Sequence, residues 1–335
     1  MLFDDIEKHQ KEQVMNIVIL DALAANPGDI SWDPFSRYGN VTAYDVTPPG
    51  LVAERARDCE ICITNKTRFD ADVISQLPKL KYIGVLATGY NVVDLDACAA
   101  RGIVVTNVPE YGTFATAQMT IALLLELCDR VGLHSSSVMN GDWCKAPQFS
   151  YFLSPLTELA GKRLHIIGFG KIGRRVAAIA SALGMTVTAT PHSLTSSKEL
   201  CDGYEVALLT LEKGLSEADV VTLHCPLTAA TSELINARTL AMMHDGALLI
   251  NCSRGGVINE QDVADALRNG RLGGFGADVV ATEPMLPDNP LLGAPNAFIT
   301  PHIAWAPVET RRRLIDAAAA NLGSFLEGRP VNMVN

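Results

Sequence analysis

The chain is poor in charge and in aromatic side chains. Asp, Glu, Lys and Arg make up 19% of its 335 residues, and Phe, Trp and Tyr make up 6%. Basic residues are the scarcer sign, 27 against 37 acidic ones, for a net charge of -10. Such a field repels polyanions, which excludes nucleic acid and anionic membrane surfaces as partners. The one basic run, Arg311-Arg312-Arg313, reads as the solvated face of a helix. No segment is uniformly apolar over a bilayer-spanning length, and Met1 to Met15 is polar and mixed in charge without an apolar leader. The expected location is the cytoplasm. Metal-binding patterns are also lacking, since there is no His-x-x-x-His and no carboxylate cluster, and the seven histidines are dispersed. Eight cysteines without an export signal imply reduced, mostly buried thiols. Cys59-Glu60-Ile61-Cys62 has no second pair for zinc and lies in a strand-like run, so neither metal nor redox chemistry is expected there. There is no solenoid-period repeat and no low-complexity segment.

The chain does have length and a hydrophobic content of 48%, enough for two domains with separate cores. Short apolar runs at Ile17 to Leu20, Val41 to Tyr44, Cys59 to Thr64, Lys81 to Leu86 and Ile103 to Thr106 read as strands. Helical stretches such as Asp70 to Gln76 and Asp94 to Arg101 fall between them, which gives a first α/β unit with a parallel sheet. Gly112 to Gly132, rich in Ala, Leu and Met, reads as one buried helix crossing between domains. The following segment, Met139 to Pro155, is aromatic-rich and suits a cover over a site or a subunit contact. A second series of six strands starts at Leu164 and continues at Met185 to Thr190, Asp219 to His224, Ala247 to Cys252, Gly273 to Val279 and Ala297 to Thr300. The helical stretch Pro307 to Glu327 then returns to the first unit. The expected fold class is α/β with two doubly wound parallel-sheet domains. Residues 1–110 plus 301–335 form a flavodoxin-like substrate domain, and residues 111–300 form an inserted dinucleotide-binding domain of Rossmann type.

The strand beginning at Leu164 ends in Gly168-x-Gly170-x-x-Gly173, and a helix-like segment, Lys171 to Gly184, follows at once. The first glycine permits a tight turn, the second lets backbone approach a pyrophosphate, and the third lets helix and strand pack closely. The helix N-terminus then offers free N–H groups and a positive dipole end to the anion. A dinucleotide enzyme of the nicotinamide type also needs a cation for the substrate, a proton donor and acceptor, and a group that tunes it. Arg254, Glu283 and His302 each follow a strand of the second series, and ligands bind beyond the carboxyl ends of such strands. The planar fork of Arg suits a 2-oxoacid, imidazole can exchange a proton with an alkoxide, and a carboxylate beside it would orient the ring. Taken singly, each of these residues has an ordinary structural explanation as an ion pair, a solvated carboxylate or a hydrogen-bonded ring. Their joint placement is what points to chemistry.

The chain resembles the D-isomer-specific 2-hydroxyacid dehydrogenases, within them the glycerate dehydrogenase or hydroxypyruvate reductase group, from about Thr64 to the C-terminus. The residues behind the resemblance are Thr64 to Lys66, Ala87 to Asp94, Asn107 to Pro109, Gly168 to Gly173, His224 to Leu227, Asn251 to Val257, Gly276 to Val279, Thr282 to Pro284 and Thr300 to Trp305. The resemblance implies that Arg254 binds the carboxylate and carbonyl region of the substrate, that His302 is the acid/base, and that Glu283 tunes it. It implies that Thr88 and Gly89 lie in the loop whose backbone N–H groups hold the substrate carboxylate, and that Asn65-Lys66 and Trp305 carry the preference of the hydroxypyruvate group. Lys171 and Ile172 would contact pyrophosphate, while Cys225, Cys252, Ser253, Arg254 and Asp278, together with Thr88, His302 and Ala304, would lie along the cofactor path. Pro191 and His192 stand where the family places an acidic residue for the adenosine ribose, which leaves NAD(H) favoured and NADP(H) open. Ala115 stands where the family commonly has a hydroxyl. The expected reaction is hydride transfer between the cofactor and a short 2-oxoacid, hydroxypyruvate or glyoxylate, in a homodimer. The alternative is an NADH-sensing binding protein like the corepressors that share this architecture. Formate dehydrogenase chemistry is disfavoured by Glu283, because that hydride transfer needs no acid/base pair.

Overall fold

The computed structural model describes residues 14–335, so the reading of the first thirteen residues lies outside the described part. The chain divides into two units, one taking in the residues up to Tyr111 together with Ala306–Asn335, the other Gly112–Trp305.

In the first unit, β1 (Met15–Ile19), β2 (Gly39–Ala43), β3 (Ile61–Thr64), β4 (Tyr82–Val85) and β5 (Val104–Thr106) form a parallel sheet in the order β2-β1-β3-β4-β5. The central strands β3 and β4 are buried throughout, as expected of a parallel sheet covered on both faces. Cys59 and Glu60 fall outside β3, because Cys59 N–H turns back to Ala56 O and the Glu60 carboxylate accepts the Asn16 N–H at 2.9 Å. Asp70 and Asp94 are N-caps, each accepting a backbone N–H of its helix, Ala71–Ser75 and Leu95–Ala100. The helix Val308–Leu326 packs on this unit, with the Phe325 ring 4.9 Å from that of Tyr82. Arg311 corrects the reading of a solvated basic face. It is buried, its guanidinium forks onto Asp29 at 2.7 and 2.6 Å, and that pairing holds the Asp29 carboxyl below its ordinary range.

The second unit has an eight-stranded sheet of β6 (Arg163–Ile167), β7 (Thr186–Thr190), β8 (Lys198–Cys201), β9 (Tyr204–Leu208), β10 (Val220–Leu223), β11 (Ala247–Asn251), β12 (Leu272–Ala277) and β13 (Ala297–Ile299). Its order is β13-β12-β11-β10-β6-β7-β9-β8, parallel except for the β8–β9 pair, with one apolar core on each face. Six strands were expected, and the extra pair is a hairpin turning at Asp202 (φ 47°) and Gly203 (φ 87°). Asp-Gly is the dipeptide that two positive φ angles favour, so the signal was in the sequence. The single helix expected from Gly112 to Gly132 is instead two, Thr113–Asp129 and Val131–Met139. Arg130 breaks it in the left-handed region (φ 51°), where its N–H caps Glu126 O and its guanidinium lies 4.6 Å over the Phe298 ring.

Candidate active site

The loops at the carboxyl ends of β11, β12 and β13 bear Arg254, Glu283 and His302 on three adjacent strands. The turn after β11 is shaped by buried Asn251, whose Oδ1 accepts from Ser253 N (3.0 Å) and Ser253 Oγ (2.8 Å) while its Nδ2 donates to Arg254 O at 2.9 Å. Arg254 itself is exposed, its guanidinium donating to Ser253 O at 2.7 Å. Gly255 brings this turn against the next loop, since a Cβ there would stand 1.9 Å from Val280 C. Only glycine lets the Arg254 turn and the Glu283 loop approach so closely. Neither Asn251 nor Gly255 was assigned a role from sequence.

Glu283 bridges two elements, accepting Val280 N–H on Oε1 (3.3 Å) and His302 Nδ1–H on Oε2 (2.6 Å). With Nδ1 committed to the carboxylate, Nε2 is the nitrogen left for exchanging a proton with a substrate. His302 sits at φ 55°, a strained angle for a residue with a Cβ, and three hydrogen bonds from two side chains hold its loop there. Trp305 Nε1 donates to His302 O at 2.9 Å, while Asp278 accepts the N–H groups of Ile303 (2.9 Å) and Ala304 (2.7 Å). Asp278, 1% exposed, also takes the Thr300 hydroxyl at 2.5 Å, so its carboxylate is engaged in holding the loop that bears His302.

On the same sheet, β6 ends in the glycine cradle. Gly168 has φ 94° and a Cβ there would stand 2.6 Å from Cys225 N, while one at Gly173 would stand 2.4 Å from Gly168 O. A Cβ at Gly170 would meet nothing within 4 Å, which leaves open space over the N-terminus of the helix Lys171–Ala182. Among the described residues no side chain caps that N-terminus; exposed Lys171 and half-buried Ile172 form its first turn. This combination of two jammed glycines, one open glycine and uncapped N–H groups fits a dinucleotide pyrophosphate. Past β7, Pro191 is half-buried and His192 exposed, with no carboxylate between them. Cys225 and Cys252 are buried, burial raising both thiols and pushing Cys252 up to about 12, so neither is a nucleophile at neutral pH. The ring nitrogens of His224, behind the cradle, are buried without a partner among the described residues. All eight cysteines are free thiols, and among the described residues no cluster of His, Cys, Asp and Glu could hold a metal.

The remaining sequence candidates lie in the first unit. Lys66 is exposed on the turn after β3. Thr88 and Gly89 follow β4, where Thr88 Oγ1 donates to Val108 O at 3.1 Å and Thr88 O accepts Asn107 Nδ2 at 2.7 Å.

The chain matches the model of the D-isomer specific 2-hydroxyacid dehydrogenase NAD binding domain over residues 121–304. It is 45% identical to a hydroxypyruvate reductase of Blautia hydrogenotrophica, covering 96% of this chain and 100% of the relative. It is 41% identical to a glycerate dehydrogenase of Methylorubrum extorquens, covering 85% and 88%. Among solved structures, the TT0316 protein from Thermus thermophilus superposes with a TM-score of 0.83 at 35% identity, covering 96% of this chain and 100% of that one. A D-lactate dehydrogenase from Aquifex aeolicus, complexed with NAD and lactic acid, superposes with a TM-score of 0.77 at 26% identity, covering 94% and 96%. The chain belongs to the D-isomer-specific 2-hydroxyacid dehydrogenases, nicotinamide-dependent oxidoreductases acting on CH–OH donors.

Proposed function

We propose that the protein reduces a short 2-oxoacid, hydroxypyruvate or glyoxylate, to the D-2-hydroxyacid, with NADH preferred over NADPH. The observation behind this reading is the Glu283–His302 pair, with Nδ1 held at 2.6 Å and Nε2 left for the substrate, on the sheet that also bears the glycine cradle. A nicotinamide held by the glycine cradle would supply the hydride that the carbonyl carbon requires. His302, protonated beforehand, gives its Nε2 proton to the carbonyl oxygen and is left neutral with Nδ1–H on Glu283. Oxidation runs the same proton back. Arg254 holds the carboxylate and carbonyl region of the substrate through its fork, while Lys66 and the backbone of Thr88 and Gly89 hold the carboxylate, and Trp305 fixes the loop of His302. Gly168, Gly170, Lys171, Ile172 and Gly173 take the pyrophosphate; Cys225, Cys252, Ser253, Asp278 and Ala304 line the path to the nicotinamide.

Preference for a hydroxypyruvate-type substrate draws support from the relatives named for hydroxypyruvate and glycerate. The cofactor preference is modest because Pro191 supplies no carboxylate to repel a 2′-phosphate. Two copies associate through the segment after the Arg130 break, where Met139, Phe149 (88% exposed) and Phe152 (74% exposed) leave apolar surface open. A cytoplasmic location agrees with the eight free thiols, and among the described residues no helix is long and apolar enough to cross a membrane. Arg254→Lys tests the reading. A point charge cannot reproduce a bidentate fork, so kcat/KM for the 2-oxoacid should fall by roughly 100-fold or more while NADH affinity holds. Near-normal kcat/KM would remove Arg254 from the site.

A further inference from the structure

The turn after β3 wraps three successive backbone N–H groups, those of Asn65, Lys66 and Thr67, around one carboxylate. That carboxylate belongs to Asp21, just past β1 and 8% exposed. Asn65 N–H lies 2.8 Å from Oδ1; Lys66 N–H (2.5 Å) and Thr67 N–H (2.9 Å) both reach Oδ2, and the Thr64 hydroxyl shares its proton between Oδ2 at 3.3 Å and Thr67 O at 3.2 Å. Concave runs of N–H groups of this kind bind anions. Here the anion is internal. Asp21 occupies the N-cap position of the short helix Ala22–Ala25 without capping it, so its side chain serves the neighbouring turn instead of its own helix.

Two consequences follow for Lys66. Its backbone N–H is taken and cannot hold a substrate, and its backbone position is fixed while its side chain stays exposed. The same turn is tied to the next loop. Asn65 Nδ2 donates to Leu86 O at 2.6 Å and Leu86 N–H to Thr64 O at 2.7 Å, two residues before Thr88. The second unit contains the same device, where Asp278 past β12 collects one hydroxyl and two N–H groups from the loop past its neighbour β13, and that loop bears His302. β1 and β3 are likewise neighbours in the first sheet.

We propose that Asp21 is a positioning residue for 2-oxoacid binding, holding the Thr64–Thr67 turn so that the Lys66 ammonium and, through Asn65, the Thr88–Gly89 loop are set for the substrate carboxylate. This rests on the assignment of Lys66 and Thr88 to the substrate made above. Asp21→Asn puts an NH2 group against N–H donors and removes the charge that gathers them. KM for the 2-oxoacid should then rise about 10-fold or more with kcat within about 3-fold, and the Kd for NADH, bound by the second unit, should not move. A merely structural role would lower the melting temperature without this KM-against-kcat split.

Lys66→Ala and the double variant separate the two layers of the proposal. If Asp21 acts through Lys66, the double variant should have nearly the KM of Lys66→Ala alone. Lys66→Ala raising KM while Asp21→Asn leaves it unchanged would overturn the role of Asp21 and leave the substrate assignment standing. Lys66→Ala leaving KM unchanged would overturn both. Fully multiplicative effects in the double variant would also overturn it, since Asp21 would then act elsewhere. Should Asp21→Asn not fold, Asp21→Glu, which keeps the charge but moves it by one methylene from the three N–H groups, decides the matter. A KM rise of about 2- to 4-fold is expected, and an unchanged KM would refute the proposal.

Discussion

His165 lies in the middle of β6 with no exposed surface, and burial lowers its pKa from 6.5 to about 4. Its neighbours explain why the neutral ring is preferred. Thr190 Oγ1 donates to Leu209 O (3.0 Å) and so accepts from Nε2–H at 3.0 Å, which leaves Nδ1 to accept from Thr188 Oγ1 at 2.9 Å. A second proton on the ring would have to turn the Thr188 hydroxyl away, onto Leu164 O at the longer distance of 3.4 Å. His224 is also lowered to about 4 by burial, with neither ring nitrogen partnered. Both folded-state values lie below the unfolded one, so the unfolded chain binds more protons between pH 6.5 and 4, and stability is lost as pH falls through that window. From pH 7 to pH 5 each histidine should cost about 2 kcal/mol, roughly 4 kcal/mol for the pair, a large part of a typical folding free energy. The assay is hydrogen exchange of β6 and β10 backbone amides at pH 7 and 5, corrected for intrinsic exchange, in the native protein and in His165→Gln. Carboxylates contribute alike to both, so the difference isolates His165: the variant should lose about 2 kcal/mol less than the native protein on acidification. Equal losses in the two proteins would refute the assignment of a buried neutral ring.

Glu283→Gln keeps a partner for His302 Nδ1 but removes the charge, and kcat/KM for reduction should fall about 10-fold or more in initial-rate assays, with NADH affinity unchanged. Trp305→Phe keeps the ring and deletes the donor to His302 O, so kcat should drop roughly 3- to 10-fold in the same assays; an unchanged kcat would mean that the left-handed His302 backbone is held without it. Pro191→Asp places a carboxylate at the end of β7, and the ratio of kcat/KM for NADH over NADPH should rise at least about 10-fold. A ratio that does not move would show that the adenosine ribose lies elsewhere.

Much of the architecture was legible because parallel strands and their helices leave strong periodic signals, and because GxGxxG is dictated by close backbone approach. What escaped was of other kinds. The Arg130 break has no glycine or proline to announce it; it depends on Asn296 and Phe298, far away in sequence. The β8–β9 hairpin is announced only by Asp202-Gly203, because its two short strands are too polar to stand out as apolar runs. Arg311 looked solvated because the sequence does not show that Asp29 is opposite. The places of Arg254, Glu283 and His302 after successive strands were legible, but the contacts that shape the neighbouring turns were not. Asn251 ties the backbone of its own turn, whereas Gly255 and Asp21 meet backbone groups of other turns, and a carboxylate gathering N–H groups 44 to 46 positions away has no local pattern to betray it.

The central claim is that the protein is a reductase of short 2-oxoacids that uses His302 as its proton donor. It is tested most directly by following loss of the reduced-nicotinamide absorbance with hydroxypyruvate, glyoxylate and pyruvate, each against NADH and NADPH, in the native protein and in His302→Gln. The account predicts turnover of hydroxypyruvate or glyoxylate with NADH as the better cofactor, a D-configured product where the product is chiral, and near-complete loss of turnover in the variant with NADH still bound. Cofactor binding without turnover of any 2-oxoacid would contradict it and favour a dinucleotide-sensing role instead.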